Sequence, residues 1–129
     1  MRVGQIILFS KDKMLLSRFL SDLFDLVPEV DGEAIRVKGS NISFLVIERE
    51  KLAFSGSSNI IDFFVDDEEE LDSMHKKVEF IYYRYSITDP DLEVNQAKSP
   101  SVKQSEDGPF FFITDPDNRR WKISYFPSR

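Results

Sequence analysis

Residues 5–23, QIILFSKDKMLLSRFLSDL, lie without a gap over residues 60–78, IIDFFVDDEEELDSMHKKV. Each stretch opens on a short apolar run that reads as a strand, turns at an acidic residue (Asp12 or Asp67), and continues with apolar residues at helical spacing. In the first copy Leu16, Phe19, Leu20, Leu23, Phe24 and Val27 keep the three-and-four rhythm of one helix face. Pro28 lacks a backbone N–H and stops it, so a helix is expected over about 11–27. In the second copy Leu71, Met74, Val78, Ile81, Tyr82 and Tyr85 carry the same rhythm. Asp67–Glu70 forms a capping box whose carboxylates suit a helix N-terminus. The run Val78–Tyr85 has the β-branched and aromatic content of a strand, but the spacing from Leu71 continues unbroken, which decides for helix to about Tyr85.

Strands follow each helix. Residues 33–39 (EAIRVKG) and 42–48 (ISFLVIE) flank a turn at Gly39–Asn41, and residues 92–98 (LEVNQAK), 109–114 (PFFFIT) and 120–126 (RWKISYF) supply the second copy. Residues 49–58 read as the connecting loop. Each copy is a strand, a helix that covers one sheet face, and two or three further strands. This is an α+β architecture of two βαβββ-type modules, about 1–53 and about 58–129, in one domain, with two curved mixed sheets around a shared cleft.

A chain of 129 residues suits a single core. Its 41% hydrophobic and 31% charged content is that of a globular protein, and twelve phenylalanines make the core aromatic. The absence of cysteine excludes disulfides, thiolate nucleophiles and Cys-based metal sites, and fits a reducing cytoplasm. The apolar run at the N-terminus is too short for a signal peptide or a membrane span. A net charge of -6 argues against nucleic acid, whose phosphates require clustered Lys and Arg.

Residues 112–126, FITDPDNRRWKISYF, place two apolar runs around a polar bend. Pro116 presets φ for a turn, Asp115 can accept from backbone N–H groups, and Asn118 tolerates the left-handed conformation, so the bend reads as a hairpin rather than a reactive site. The bend resembles the closing hairpin of the vicinal oxygen chelate superfamily, the group of glyoxalases, bleomycin-resistance proteins and extradiol dioxygenases. Upstream, residues 5–24 are similar to that family's first strand and helix, 42–53 to the strand closing its first module, and 60–71 to the start of its second. The resemblance therefore implies a glyoxalase/bleomycin-resistance-like fold over nearly the whole chain.

Enzymes of that family hold a divalent metal through His, Gln or Glu side chains, and the resemblance assigns four positions here. Gln5 is an acceptable ligand. Ile60 stands where histidine is usual and Lys122 where glutamate is usual. In residues 42–48 the matching position is Phe44, loose by a residue or two, with Glu48 as a substitute. Isoleucine has no donor atom, and a lysine ammonium repels a divalent cation, so no metal or other cofactor is expected. The single histidine, His75, is expected to be a solvated or half-buried helix residue.

Strand alternation then gives the cleft face. Gln5, Ile7, Phe9, Asp62, Phe64, Lys122 and Ser124 are expected to point inward, with Phe44, Glu48 and Phe112 completing the candidate ligand-binding set. Ile6, Leu8, Ile61, Phe63, Val65, Trp121 and Ile123 are expected to face the helices. Asp62 and Lys122 are expected to pair where the family holds its metal, either anchoring a polar group of a ligand or forming a simple rim salt bridge. At the hairpin tip Arg119 and Arg120 have the chemistry to grip an anion, or are solvated. Residues 95–108 have loop composition, as a lid or as plain surface.

Three functions remain open at this point. One is a metal-free module binding a small apolar or aromatic molecule, as in bleomycin-resistance members of the family. The others are a metal-dependent glyoxalase-like lyase or dioxygenase, and a structural or interaction protein that has kept the fold alone. The resemblance also implies a homodimer.

Overall fold

The computed structural model describes residues 1–53, 59–88 and 100–127. The chain divides into two units, Met1–Gly56 and Ser57–Arg129.

In the first unit strand β1 (Ile6–Ser10) leads into helix α1 (Lys13–Phe24), followed by β2 (Val27–Asp31), β3 (Ala34–Lys38) and β4 (Ser43–Glu48). A 3-10 turn at Glu50–Leu52 ends the described part of this unit. The sheet order is β1-β4-β3-β2, with β1 parallel to β4 and the other pairs antiparallel. Asp12 caps α1, its Oδ1 accepting from the N–H groups of Met14 and Leu15 at 3.1 Å. The helix ends three residues earlier than its apolar rhythm predicts. Asp25 takes a left-handed conformation with φ 54°, its N–H bonds to the Ser21 carbonyl, and the chain leaves as an extended edge strand containing Pro28. Proline fits there because an edge strand leaves N–H positions that need no ladder partner.

The second unit repeats the order. It contains β5 (Ile61–Val65), α2 (Glu68–Thr88), β6 (Lys103–Ser105), β7 (Gly108–Thr114) and β8 (Arg120–Tyr125). Its sheet order is β5-β8-β7-β6, again with the first strand parallel to the last. The predicted capping box is present: Asp67 Oδ1 accepts from Glu70 N, while the Glu70 carboxylate reaches back to Asp66 N, both at 2.7 Å. Helix α2 runs to Thr88, past the predicted end at Tyr85, so the run Val78–Tyr85 is helical. The expected strand at 92–98 lies outside the described residues. Within the stretch 95–108, read as loop, Lys103–Ser105 is a strand paired to Phe110, and 95–99 lie outside the described residues.

Each core lies between its own helix and sheet. In the first unit Leu16, Phe19, Leu20 and Leu23 of α1 meet Leu8, Val37, Phe44 and Val46. In the second, Leu71, Val78, Ile81 and Tyr85 of α2 meet Phe111, Ile113, Trp121 and Ile123. These apolar faces bind helix to sheet through area removed from water, about 25 cal/mol per Å². The opposite face of each sheet takes no part in this packing, and it carries both polar and aromatic side chains.

Candidate functional site

Alternation along β5, β7 and β8 sets two populations of side chains apart. Phe111, Ile113, Trp121 and Ile123 are buried toward α2, while Asp62, Phe64, Phe110, Phe112, Arg120, Lys122 and Ser124 lie on the other face. The ladder puts Asp62 directly beside Lys122, and Lys122 beside Phe112. Lys122 Nζ stands 3.5 Å from Asp62 Oδ2, with both side chains about three-tenths exposed. Ser124 Oγ donates to the other carboxylate oxygen of Asp62 at 2.7 Å. Aspartate is thus fixed from two sides.

Aromatic rings surround this pair. Lys122 Nζ sits 4.6 Å from the centre of the Phe110 ring, and the Arg120 guanidinium sits 4.1 Å from that of Phe112. Phe110 and Phe112 meet edge to face at 5.6 Å, and Phe64, half exposed, tilts against Phe126 at 4.7 Å. Cations over ring faces are attracted by the ring quadrupole, which keeps Lys122 and Arg120 laid along the sheet. The result is an aromatic surface carrying one carboxylate and two cations. It can stack a planar apolar group and meet a polar substituent beside it.

On the first sheet the corresponding face carries Gln5, Ile7 and Phe9, with Ile7 half exposed. Gln5 Oε1 accepts from Arg36 Nη1 at 2.8 Å, and Arg36 Nη2 also donates to Asp31 at 2.6 Å. Two expected members are on the wrong side. Phe44 is fully buried and stacks on Phe24 of α1 at 6.0 Å. Glu48 lies on the same side and accepts from Lys13 N at 3.0 Å, at the start of α1. The register explains this: Ile7 pairs with Leu45 as Asp62 pairs with Lys122, so the equivalent of Lys122 is Leu45, and a slip of one residue exchanges the faces. Arg36, on the same face of β3, has no counterpart among the predicted site residues. Its signal in the sequence was a cation alternating with apolar residues in AIRVK, two places before Lys38.

The bend Asp115–Arg119 is a hairpin with a buried hub. Asp115, 1% exposed, accepts from Asp117 N (2.9 Å), Arg119 N (3.0 Å), Arg119 Nη1 (2.7 Å) and Trp121 Nε1 (3.0 Å). Burial pushes its carboxyl pKa above the usual aspartate value, against the opposing pull of the Arg119 charge and these hydrogen bonds. Asn118 takes φ 67°, the left-handed conformation expected of it. Arg119 is therefore tied to the hairpin, and Arg120 to Phe112. His75 is half-buried on α2, 3.1 Å from Glu79 through Nδ1 and edge-on to Phe111 at 5.3 Å.

Two four-stranded mixed sheets, each with one helix and its first strand parallel to its last, define the α+β fold of the glyoxalase/bleomycin-resistance-like group. Neither a sequence-family model nor any curated protein matches the chain. Solved structures do. The genomically encoded fosfomycin resistance protein FosX from Listeria monocytogenes superposes with a TM-score of 0.71 at 17% identity, over 97% of this chain and 93% of that one. Lactoylglutathione lyase from Agrobacterium tumefaciens gives 0.66 at 14% identity, over 96% and 92%. A glyoxylase/bleomycin resistance protein/dioxygenase domain from Frankia gives 0.67 at 12% identity, over 98% and 92%. The chain has the fold of the vicinal oxygen chelate superfamily, as its hairpin and repeat imply.

Proposed function

We propose that this chain binds a small apolar or aromatic molecule on the open face of its second sheet, as a glyoxalase/bleomycin-resistance-like protein without a complete metal site. The supporting observation is the set of rings Phe64, Phe110 and Phe112 around the Asp62–Lys122 pair. Covering about 100 Å² of such surface contributes roughly 2.5 kcal/mol. A fold shared by resistance proteins and a lyase does not choose a chemistry, so the site must.

The side chains at the positions assigned to metal do not suit a divalent ion. Ile60 offers no donor, Lys122 presents a cation, Phe44 is buried against α1, and Gln5 Oε1 is engaged by a guanidinium. Among the described residues no cluster of three or more His, Cys, Asp or Glu side chains is placed to hold one. No helix of the described residues is long and apolar enough to cross a membrane. A cytoplasmic homodimer completes the proposal.

The test is a thermal-shift screen of aromatic and apolar compounds, run with and without Ni, Zn, Fe or Mn. Stabilisation by compounds in metal-free buffer, weakened in Phe64→Ala and Lys122→Ala, supports binding. Stabilisation that requires the metal overturns this in favour of a lyase or dioxygenase, and a chain stabilised by neither is a structural or interaction protein.

A further inference from the structure

We propose that the groove at the Arg2–Gln5 end of the first sheet is a binding site for a small dianion of the phosphate type. It lies within the first unit and does not depend on the function proposed for the second sheet.

The groove holds about 640 Å³ and is walled by the N-terminal segment Arg2–Ile6, by Arg36 and Lys38 of β3, and by residues 39–43 of the β3–β4 turn. That volume suits a small molecule. Its charged lining is Arg2, Arg36 and Lys38, with no aspartate or glutamate, in a chain where 23 acidic residues outnumber 17 Lys and Arg. Asp31, outside the groove, pairs with Arg36 and leaves two of the three positive charges uncompensated. Arg2 and Lys38 are exposed and make no ion pair among the described residues. A doubly charged oxyanion matches that balance.

Neutral donors support the choice. Ser43 lies beside Lys38 in the ladder and lines the groove; its hydroxyl is buried and has no hydrogen-bond partner. A buried hydroxyl without a partner costs about 1–3 kcal/mol, which an acceptor oxygen in the groove relieves once the Ser43 side chain turns toward it. The turn carrying Ser40 and Asn41 is closed by the Gly39 N–H on the Ile42 carbonyl at 2.9 Å, which holds both residues at the rim. Arg36 is held by Gln5 and Asp31 before any ligand arrives, so little side-chain freedom is lost on binding. Charge-assisted donors of this kind recognise phosphate oxygens in preference to neutral groups.

The experiment is a titration of the ¹⁵N-labelled full chain at low ionic strength with inorganic phosphate, phenyl phosphate and acetate. Both phosphates are expected to move the amide signals of Gly4, Ser40, Asn41 and Ser43 at concentrations where acetate does not. Tighter binding of phenyl phosphate marks an organic phosphomonoester as the ligand, and equal binding marks the free ion. Arg2→Gln with Lys38→Gln should raise the phosphate Kd about tenfold, and the binding should fade as salt approaches about 0.15 M. Both residues are exposed, so the fold is retained. Ser43→Ala should weaken phosphate a few-fold while leaving or raising the melting temperature, since it removes an unsatisfied hydroxyl. Overturning results are an absence of phosphate-induced shifts at these amides, equal shifts with acetate, or wild-type affinity in both variants.

Discussion

Replacing Asp115 by alanine is expected to destabilise the second unit far more than any ordinary hairpin substitution. The carboxylate accepts four hydrogen bonds, from Asp117 N, Arg119 N, Arg119 Nη1 and Trp121 Nε1, at 2.7–3.0 Å. Alanine removes this acceptor from all four donors. The Arg119 side chain is 18% exposed and can turn to water, but the two backbone groups and the indole remain enclosed. Each stranded donor costs about 1–3 kcal/mol; since water entering the vacated volume recovers part of this, the total is about 3–5 kcal/mol. Trp121, the single tryptophan and 1% exposed, reports directly on this region by fluorescence. In urea, with a slope near 2 kcal/mol per M, the midpoint should fall by about 2 M. Asp115→Asn should cost less, because its carbonyl keeps part of the set and burial already disfavours the charge it removes. A loss below about 1 kcal/mol for Asp115→Ala, the level of surface positions, would refute the assignment of Asp115 as the hub of the hairpin.

The Tyr82 hydroxyl accepts from Thr114 N at 2.8 Å and donates to its carbonyl, and burial holds its pKa above the ordinary 10.0. The folded chain keeps this proton where the unfolded chain has lost it. Stability should therefore be intact below pH 10 and fall as pH rises from there toward the folded pKa. Tyr82→Phe should cost about 1–2 kcal/mol at neutral pH and flatten that alkaline decline, which urea midpoints across the range will read. An unchanged alkaline slope in the variant would exclude Tyr82 as its source. At Gly108, φ is 136° and an added Cβ would lie 2.2 Å from the Tyr125 carbonyl oxygen, so Gly108→Ala should lose at least about 2 kcal/mol. A melting temperature equal to wild type would contradict that geometry.

The α1 and α2 faces were legible because apolar residues repeat at the helical period, and the Asp67–Glu70 box because acidic side chains stand one turn ahead of that pattern; Asp12, expected inside the first helix, instead caps it. The strands β2 and β6 were not, since every residue in both is exposed and neither alternates. Asp25 ends α1 in a left-handed conformation that glycine would have signalled and aspartate does not. Phe44 was set on the wrong face for a related reason: FLVI (44–47) is apolar throughout, so alternation carries no parity until the pairing of Ile7 with Leu45 fixes it.

The same physics separates what the two copies share from what each does. On the helix side the ladder pairs Ile6 with Phe44 and Ile61 with Trp121, large apolar partners in both copies, because the core of each unit depends on them. One residue along, on the open face, Ile7 pairs with Leu45 but Asp62 pairs with Lys122. An ion pair about three-tenths exposed is worth no more than about 1 kcal/mol, so exchanging it for an apolar pair scarcely alters folding. It alters what the face can hold, since a carboxylate and an ammonium among phenylalanines recognise a polar substituent that two aliphatic side chains cannot. On the proposed function, the positions that would choose a ligand are thus those under least constraint from the fold.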